Sequence, residues 1–144
     1  MTASPRVDRR ALISQALDAL HRARADRDPD AAAAVLTADV VHIMPSSFVP
    51  EPVVGRDAVA AGLTTGVSAW FEPDSMNREI LRTTIDGDVA AVEQVLRCRT
   101  KDGRPYENNY VWIYEFRDGL ICRMIEHADT LRAARAFGDY PSPD

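Results

Sequence analysis

The chain has 144 residues, 46% hydrophobic and 27% charged, an ordinary globular composition for one domain that can bury a sizeable core unaided. Its formal net charge of −5, with no basic run longer than Arg9-Arg10, excludes the clustered Lys and Arg that a nucleic acid or an anionic membrane surface requires. Two cysteines, Cys98 and Cys122, are too few for a disulfide framework, and no apolar run has signal-peptide or membrane-span character, so a soluble, cytoplasmic protein is expected.

Leu12, Ala16, Leu17, Leu20 and Ala23 recur at helical spacing and predict an amphipathic helix from about Asp8 to Arg24. "DRDPD" (Asp26–Asp30) breaks it, and Asp30 is placed to cap a short second helix through Leu36. "DVVHIM" (Asp39–Met44), rich in β-branched residues and ended by Pro45, predicts a strand. "PSSFVPEPVVG" (Pro45–Gly55) carries three prolines and reads as a semi-rigid loop, made apolar by Phe48, Val53 and Val54. In "GRDAVAAGLTTGVSAWF", Val59, Leu63, Val67 and Trp70 share one side of a third helix, weakened by two internal glycines.

From Asn77 onward the pattern is strand. "REILRTTID" ends at the turn dipeptide Asp86-Gly87, "VAAVEQVLRCRT" at "KDGRP", "YENNYVWIYEF" at "RDG", and "LICRMIEHA" closes the series. Asp129 is placed to cap a last helix, Thr130 to Phe137, with "GDYPSPD" as a frayed tail. Helices first, then an antiparallel meander, define an α+β domain: a curved sheet wrapped around three N-terminal helices, forming a cone with an internal pocket. A single domain spans residues 1–144, ordered over about 8–137.

The segments "ADVVHIMP", "GRDAV" and "GRPYENNYVWIYEFRDGLICRMIEHADT" resemble the nuclear-transport-factor-2-like superfamily. The resemblance is to its SnoaL-like branch, with polyketide cyclases, ketosteroid isomerase and limonene epoxide hydrolase as relatives, and it covers about residues 10 to 137. The epoxide-hydrolase pattern, an Arg-x-Asp on the third strand of the sheet and an Asp on the last, falls here on Glu93, Val95 and Glu126, so one carboxylate matches. The isomerase base falls at Met44, its oxyanion-hole tyrosine near Leu20 and its oxyanion-hole aspartate near Trp112. The resemblance therefore implies the fold more firmly than either reaction.

The superfamily's pocket-facing phase implies inward sets of Glu93/Val95, Asn108/Tyr110/Trp112, Met124/Glu126 and His42/Met44, with Asn109, Val111, Ile113, Ile125 and His127 facing outward. Glu126, walled by Met124 and Trp112, is the leading general base or acid. His42 is its candidate partner, since an imidazole both takes and gives a proton near neutrality. Glu93 is a second carboxylate able to pair with Glu126. Asn108, Tyr110 and Trp112 supply donors for a substrate oxygen, and Met44, Met124, Trp70 and Phe48 supply apolar contact. His21 reads as a surface residue.

Three scattered histidines provide no metal site, and no glycine-rich phosphate loop or nucleotide motif occurs, so neither metal nor cofactor is expected. The expected function is cofactor-independent acid–base catalysis on a small, largely apolar oxygenated molecule, of isomerase, cyclase, dehydratase or epoxide-hydrolase type. The alternative is a non-catalytic module of the same fold that binds a small ligand or dimerises. A homodimer through the outer sheet face, where Val111, Ile113 and Ile125 need cover, is expected in either case.

Overall fold

The computed structural model describes residues 8–137; the expected frayed tail after Phe137 lies outside them. Helix α1 (Arg9–Asp26) begins where Asp8 accepts the Ala11 amide at 3.3 Å. It ends on Arg27 in the left-handed region (φ 53°), with the Arg27 and Asp28 amides reaching back to the carbonyls of Arg24 and Ala23. Its buried stripe is Ile13, Ala16, Leu17, Leu20, Ala23 and, unexpectedly, Arg24.

Helix α2 (Pro29–Ala33) starts earlier than expected, and Asp28 rather than Asp30 caps it. Pro29 takes the first helical position, where a missing N–H costs nothing, and so fixes the cap one residue before itself. Strand β1 (Leu36–Ile43) follows. The proline-rich loop then delivers the short strand β2 (Val53–Val54), antiparallel to β1. Helix α3 (Arg56–Leu63) stops well before Trp70. Thr64 donates its hydroxyl to the Ala60 carbonyl at 2.6 Å, and a 3-10 turn (Thr65–Ala69) continues the chain. Gly66 sits so close to the preceding turn that a Cβ there would lie 3.0 Å from the Ala61 carbonyl oxygen.

Strands β3 (Asn77–Asp86), β4 (Val89–Arg99), β5 (Pro105–Arg117) and β6 (Leu120–Ala128) form the meander, and α4 (Thr130–Phe137) follows. Asp129 Oδ1 accepts the Leu131 and Arg132 amides at 3.1 and 3.2 Å, so it caps α4 as the sequence suggests. The six-stranded sheet runs β2-β1-β6-β5-β4-β3 and is antiparallel except for the parallel pair β1–β6. Register shifts in β1–β6, β3–β4 and β5–β6 mark irregularities of the kind that sharpen sheet curvature. Helix residues Ile13, Leu17, Leu20, Val59 and Leu63 join Val92, Leu96, Trp112, Tyr114, Ile121 and Met124 in one buried core. The fold is therefore the α+β architecture expected, a curved sheet closed by helices.

Directly paired residues share a face, so register settles which side chains look inward. Trp112 lies opposite Val92 on one neighbour and Glu126 on the other, while Tyr110 lies opposite Gln94. The inward set of β4 is thus Ala90, Val92, Gln94 and Leu96. Glu93 pairs with Val111 on the outer face, where Arg82 of β3 bonds its carboxylate. The expected inward pair Glu93/Val95 is one residue out of phase, and Glu93 is no partner for Glu126. Among the described residues, no helix is long and apolar enough to cross a membrane.

Candidate active site

Between the inner face of the sheet, α1, α3, α4 and the proline-rich loop lies a cavity of about 290 Å³. Phe48, Leu63, Trp70, Phe71, Leu96 and Phe137 form much of its apolar wall. Ring contacts hold its rim together: Trp70 meets Phe137 at 5.4 Å and Phe71 meets Tyr106 at 5.4 Å between centroids. Its polar side chains are Arg24, His42, Arg78, Gln94, Tyr110 and Glu126, with the Trp112 indole. Glu126 is the single carboxylate lining it among the described residues.

Strand β6 carries Glu126 beside β1, which carries His42. His42 Nε2 lies 3.4 Å from Glu126 Oε2, with side chains 7% and 17% exposed. The two groups are in contact but off the line of a hydrogen bond, so Nε2 is buried with no hydrogen-bond partner. The imidazole also stacks on Trp112, centroids 5.2 Å apart at 28°. These contacts give the ring a fixed place beside Glu126.

Tyr110 enters from β5. Its hydroxyl shares a 2.8 Å hydrogen bond with that of Tyr106, which in turn accepts from Asn108 Nδ2 at 2.8 Å. Burial above all, then Tyr106 and Glu126, pushes the Tyr110 phenol well up, so it remains a neutral O–H donor. Gln94 is almost wholly buried beside it, its Oε1 without a hydrogen-bond partner. Cys98, also on β4, is held at about 11 chiefly by burial, a thiol rather than a thiolate nucleophile.

The structure brings His42, Met44, Phe48, Trp70, Tyr110, Trp112 and Glu126 together at one cavity. Asn108 and Met124 face inward but do not line it. Asn108 is consumed by Tyr106, by the Asp129 carbonyl at 2.9 Å and by its neighbour's amide at 2.8 Å. Met124 is fully buried in the core. Sequence reasoning missed Arg24, Arg78 and Gln94. Arg24 continues the stripe Ile13, Leu17, Leu20, a spacing that would have marked it as inward. His21 is no plain surface residue: it is partly buried, and burial, followed by Arg24, holds it down at about 4. No three His, Cys, Asp or Glu side chains gather as a metal site among the described residues.

A curved sheet closed by helices over a polar-lined cavity defines a class of small pocket-bearing α+β domains. Solved structures share that fold. An NTF2-like protein of unknown function from Burkholderia pseudomallei superposes with a TM-score of 0.79 at 21% identity, covering 89% of this chain and 98% of that one. TerC, co-crystallised with polyporic acid, gives 0.77 at 19%, covering 89% and 99%. A protein with a ketosteroid isomerase-like fold from Catenulispora acidiphila, in complex with trimethylamine, gives 0.73 at 16%, covering 86% and 92%. Among curated proteins, none matches the chain. Residues 17–124 match the SnoaL-like domain family, and the chain belongs to it.

Proposed function

We propose that this SnoaL-like protein is a cofactor-independent enzyme that performs general acid–base catalysis on a small oxygenated molecule. The observation that carries the reading is Glu126: among the described residues the one carboxylate of a mostly apolar cavity, with a buried imidazole 3.4 Å away. In this reading Glu126 removes a proton from a carbon next to a carbonyl, or protonates a leaving oxygen, and His42 exchanges the proton with it. The chain Asn108 → Tyr106 → Tyr110 can run donor to acceptor, which leaves the Tyr110 proton for a developing oxyanion. Asn108 is then a positioning residue, and Gln94 Oε1 accepts from a substrate hydroxyl. Isomerisation, cyclisation, dehydration and epoxide opening all fit this set.

The structural relatives support a ligand pocket in this fold, since one holds polyporic acid and another trimethylamine. The first is named an acid and the second an amine, so the charge preference of this pocket rests on its own walls. The test is turnover of a panel of lactones, epoxides and enones by wild type and Glu126→Gln, both checked for folding. Glu126→Gln is expected to lower turnover by about 10²–10⁴-fold. A wild-type protein that binds members of the panel and converts none is a ligand-binding module, and the catalytic reading is then wrong. We further propose that a second copy covers the outer sheet face with its half-buried Val111, Ile113 and Ile125, which light scattering tests.

A further inference from the structure

Two arginines reach the cavity from different walls, Arg24 from α1 and Arg78 from β3. Neither has an ion-pair partner among the described residues, where the ion pairs join groups at or near the surface apart from the His42–Glu126 contact. Arg24 is 7% exposed, and its Nε and Nη1 atoms are buried without a hydrogen-bond acceptor. Its guanidinium carbon lies 4.6 Å from the centre of the Trp112 ring, which anchors the plane without neutralising it. The Tyr114 hydroxyl beside it is raised to about 12 chiefly by burial, with the charge and a side-chain contact of Arg24 holding it lower than burial alone would, and it remains a neutral phenol that offers no counter-charge. Arg78 Nε is buried without an acceptor as well.

Charge confirms the imbalance. Burial first, and then the charge of Arg24, brings Arg78 down to about 9. The same two causes act on His21 next to this pole of the cavity. Two like charges in a low-dielectric pocket are costly unless a counter-charge joins them, and Glu126, the one lining carboxylate among the described residues, is already in contact with His42.

We propose that the natural ligand is a small organic acid whose carboxylate completes the Arg24–Arg78 pole while its carbon skeleton lies along the apolar wall toward Glu126. This deepens the catalytic reading by naming the substrate class, and it rests on that reading only for what happens after binding. Planar guanidinium groups suit a carboxylate better than a spherical ion, because each offers directed N–H donors. Trp70, Phe71 and Leu96 supply the apolar contact that a free inorganic anion would leave unused.

The experiment is calorimetry and thermal shift on the intact protein with matched pairs, each an aryl or alkenyl carboxylic acid and its methyl ester. Wild type is expected to bind at least one acid about tenfold or more tighter than its ester. Arg78→Met and Arg24→Gln should each remove that preference, and Arg78→Lys should restore part of it. Chloride and sulfate serve as non-planar controls and should not match the acids. Esters binding as tightly as acids, no acid binding at millimolar concentration, or an acid preference that survives both substitutions would overturn the proposal. Acid binding without conversion sinks the catalytic reading alone. Conversion of neutral substrates that Arg78→Met leaves unchanged sinks the acid proposal alone.

Discussion

Arg78→Met should make the empty protein more stable. At about 1.4 kcal/mol per pH unit, the displacement of Arg78 from the usual guanidinium range to about 9 sets a burial cost near 5 kcal/mol as its ceiling. Apolar replacement of buried ionic groups at similar volume returns about 1–4 kcal/mol in practice. Methionine keeps most of the length of the stem, so a gain of about 2 kcal/mol is expected. For a chain of this size that is a rise in Tm of roughly 6 °C. The sign follows from linkage. Arg78 binds its proton less tightly folded than unfolded, so the penalty is complete below about 9 and is relieved as the pH climbs from there toward the ordinary guanidinium range. The gain of the variant should therefore be constant around neutral pH and shrink above about 9. Differential scanning calorimetry of both proteins without ligand, at several pH values, measures it. A lower Tm for Arg78→Met at neutral pH would show that Arg78 is held by a stabilising contact, and the argument for an unfilled charge pole would fall with it.

Two further substitutions separate structure from chemistry. Asn108→Ala strips three hydrogen bonds from the junction of β5 and α4 and leaves the Asp129 carbonyl without that donor; a loss of about 1–3 kcal/mol in denaturant unfolding is expected. Binding should weaken much less than stability, since Asn108 does not line the cavity, and a selective loss of affinity with full stability would reverse its assignment. Glu93→Gln removes a solvent-facing partner of Arg82 and should change stability by less than about 1 kcal/mol, with turnover and ligand affinity unchanged. A turnover defect in Glu93→Gln would restore it to the site.

Much of the site was legible because β5 alternates cleanly along its length and β6 does so from Met124 onward. Tyr110 and Trp112 fall on one phase of β5 and Val111 and Ile113 on the other, whereas the pairing of Trp112 with Glu126 depends on the register shift between Glu115 and Phe116, since the turn at Asp118-Gly119 alone would set Trp112 opposite Ile125. Strand β4 gives no such signal. "VAAVEQVLRCR" places apolar residues on both faces and one carboxylate or amide on each, so Glu93 and Gln94 are equivalent until the register with β5 is known.

The sequence by itself determined the order of the main helices and strands, the cap at Asp129, and the carboxylate and imidazole that meet in the pocket. Those depend on local propensity and on short-range periodicity, which the chain carries residue by residue. Tertiary structure alone decided the rest: the parallel return of β1 beside β6, the break of α3 at Thr64, and the meeting of Arg24 and Arg78 at one cavity. Helix and strand lie 54 positions apart at those two arginines, and only the closure of the sheet over α1 turns two ordinary cations into one unbalanced pole.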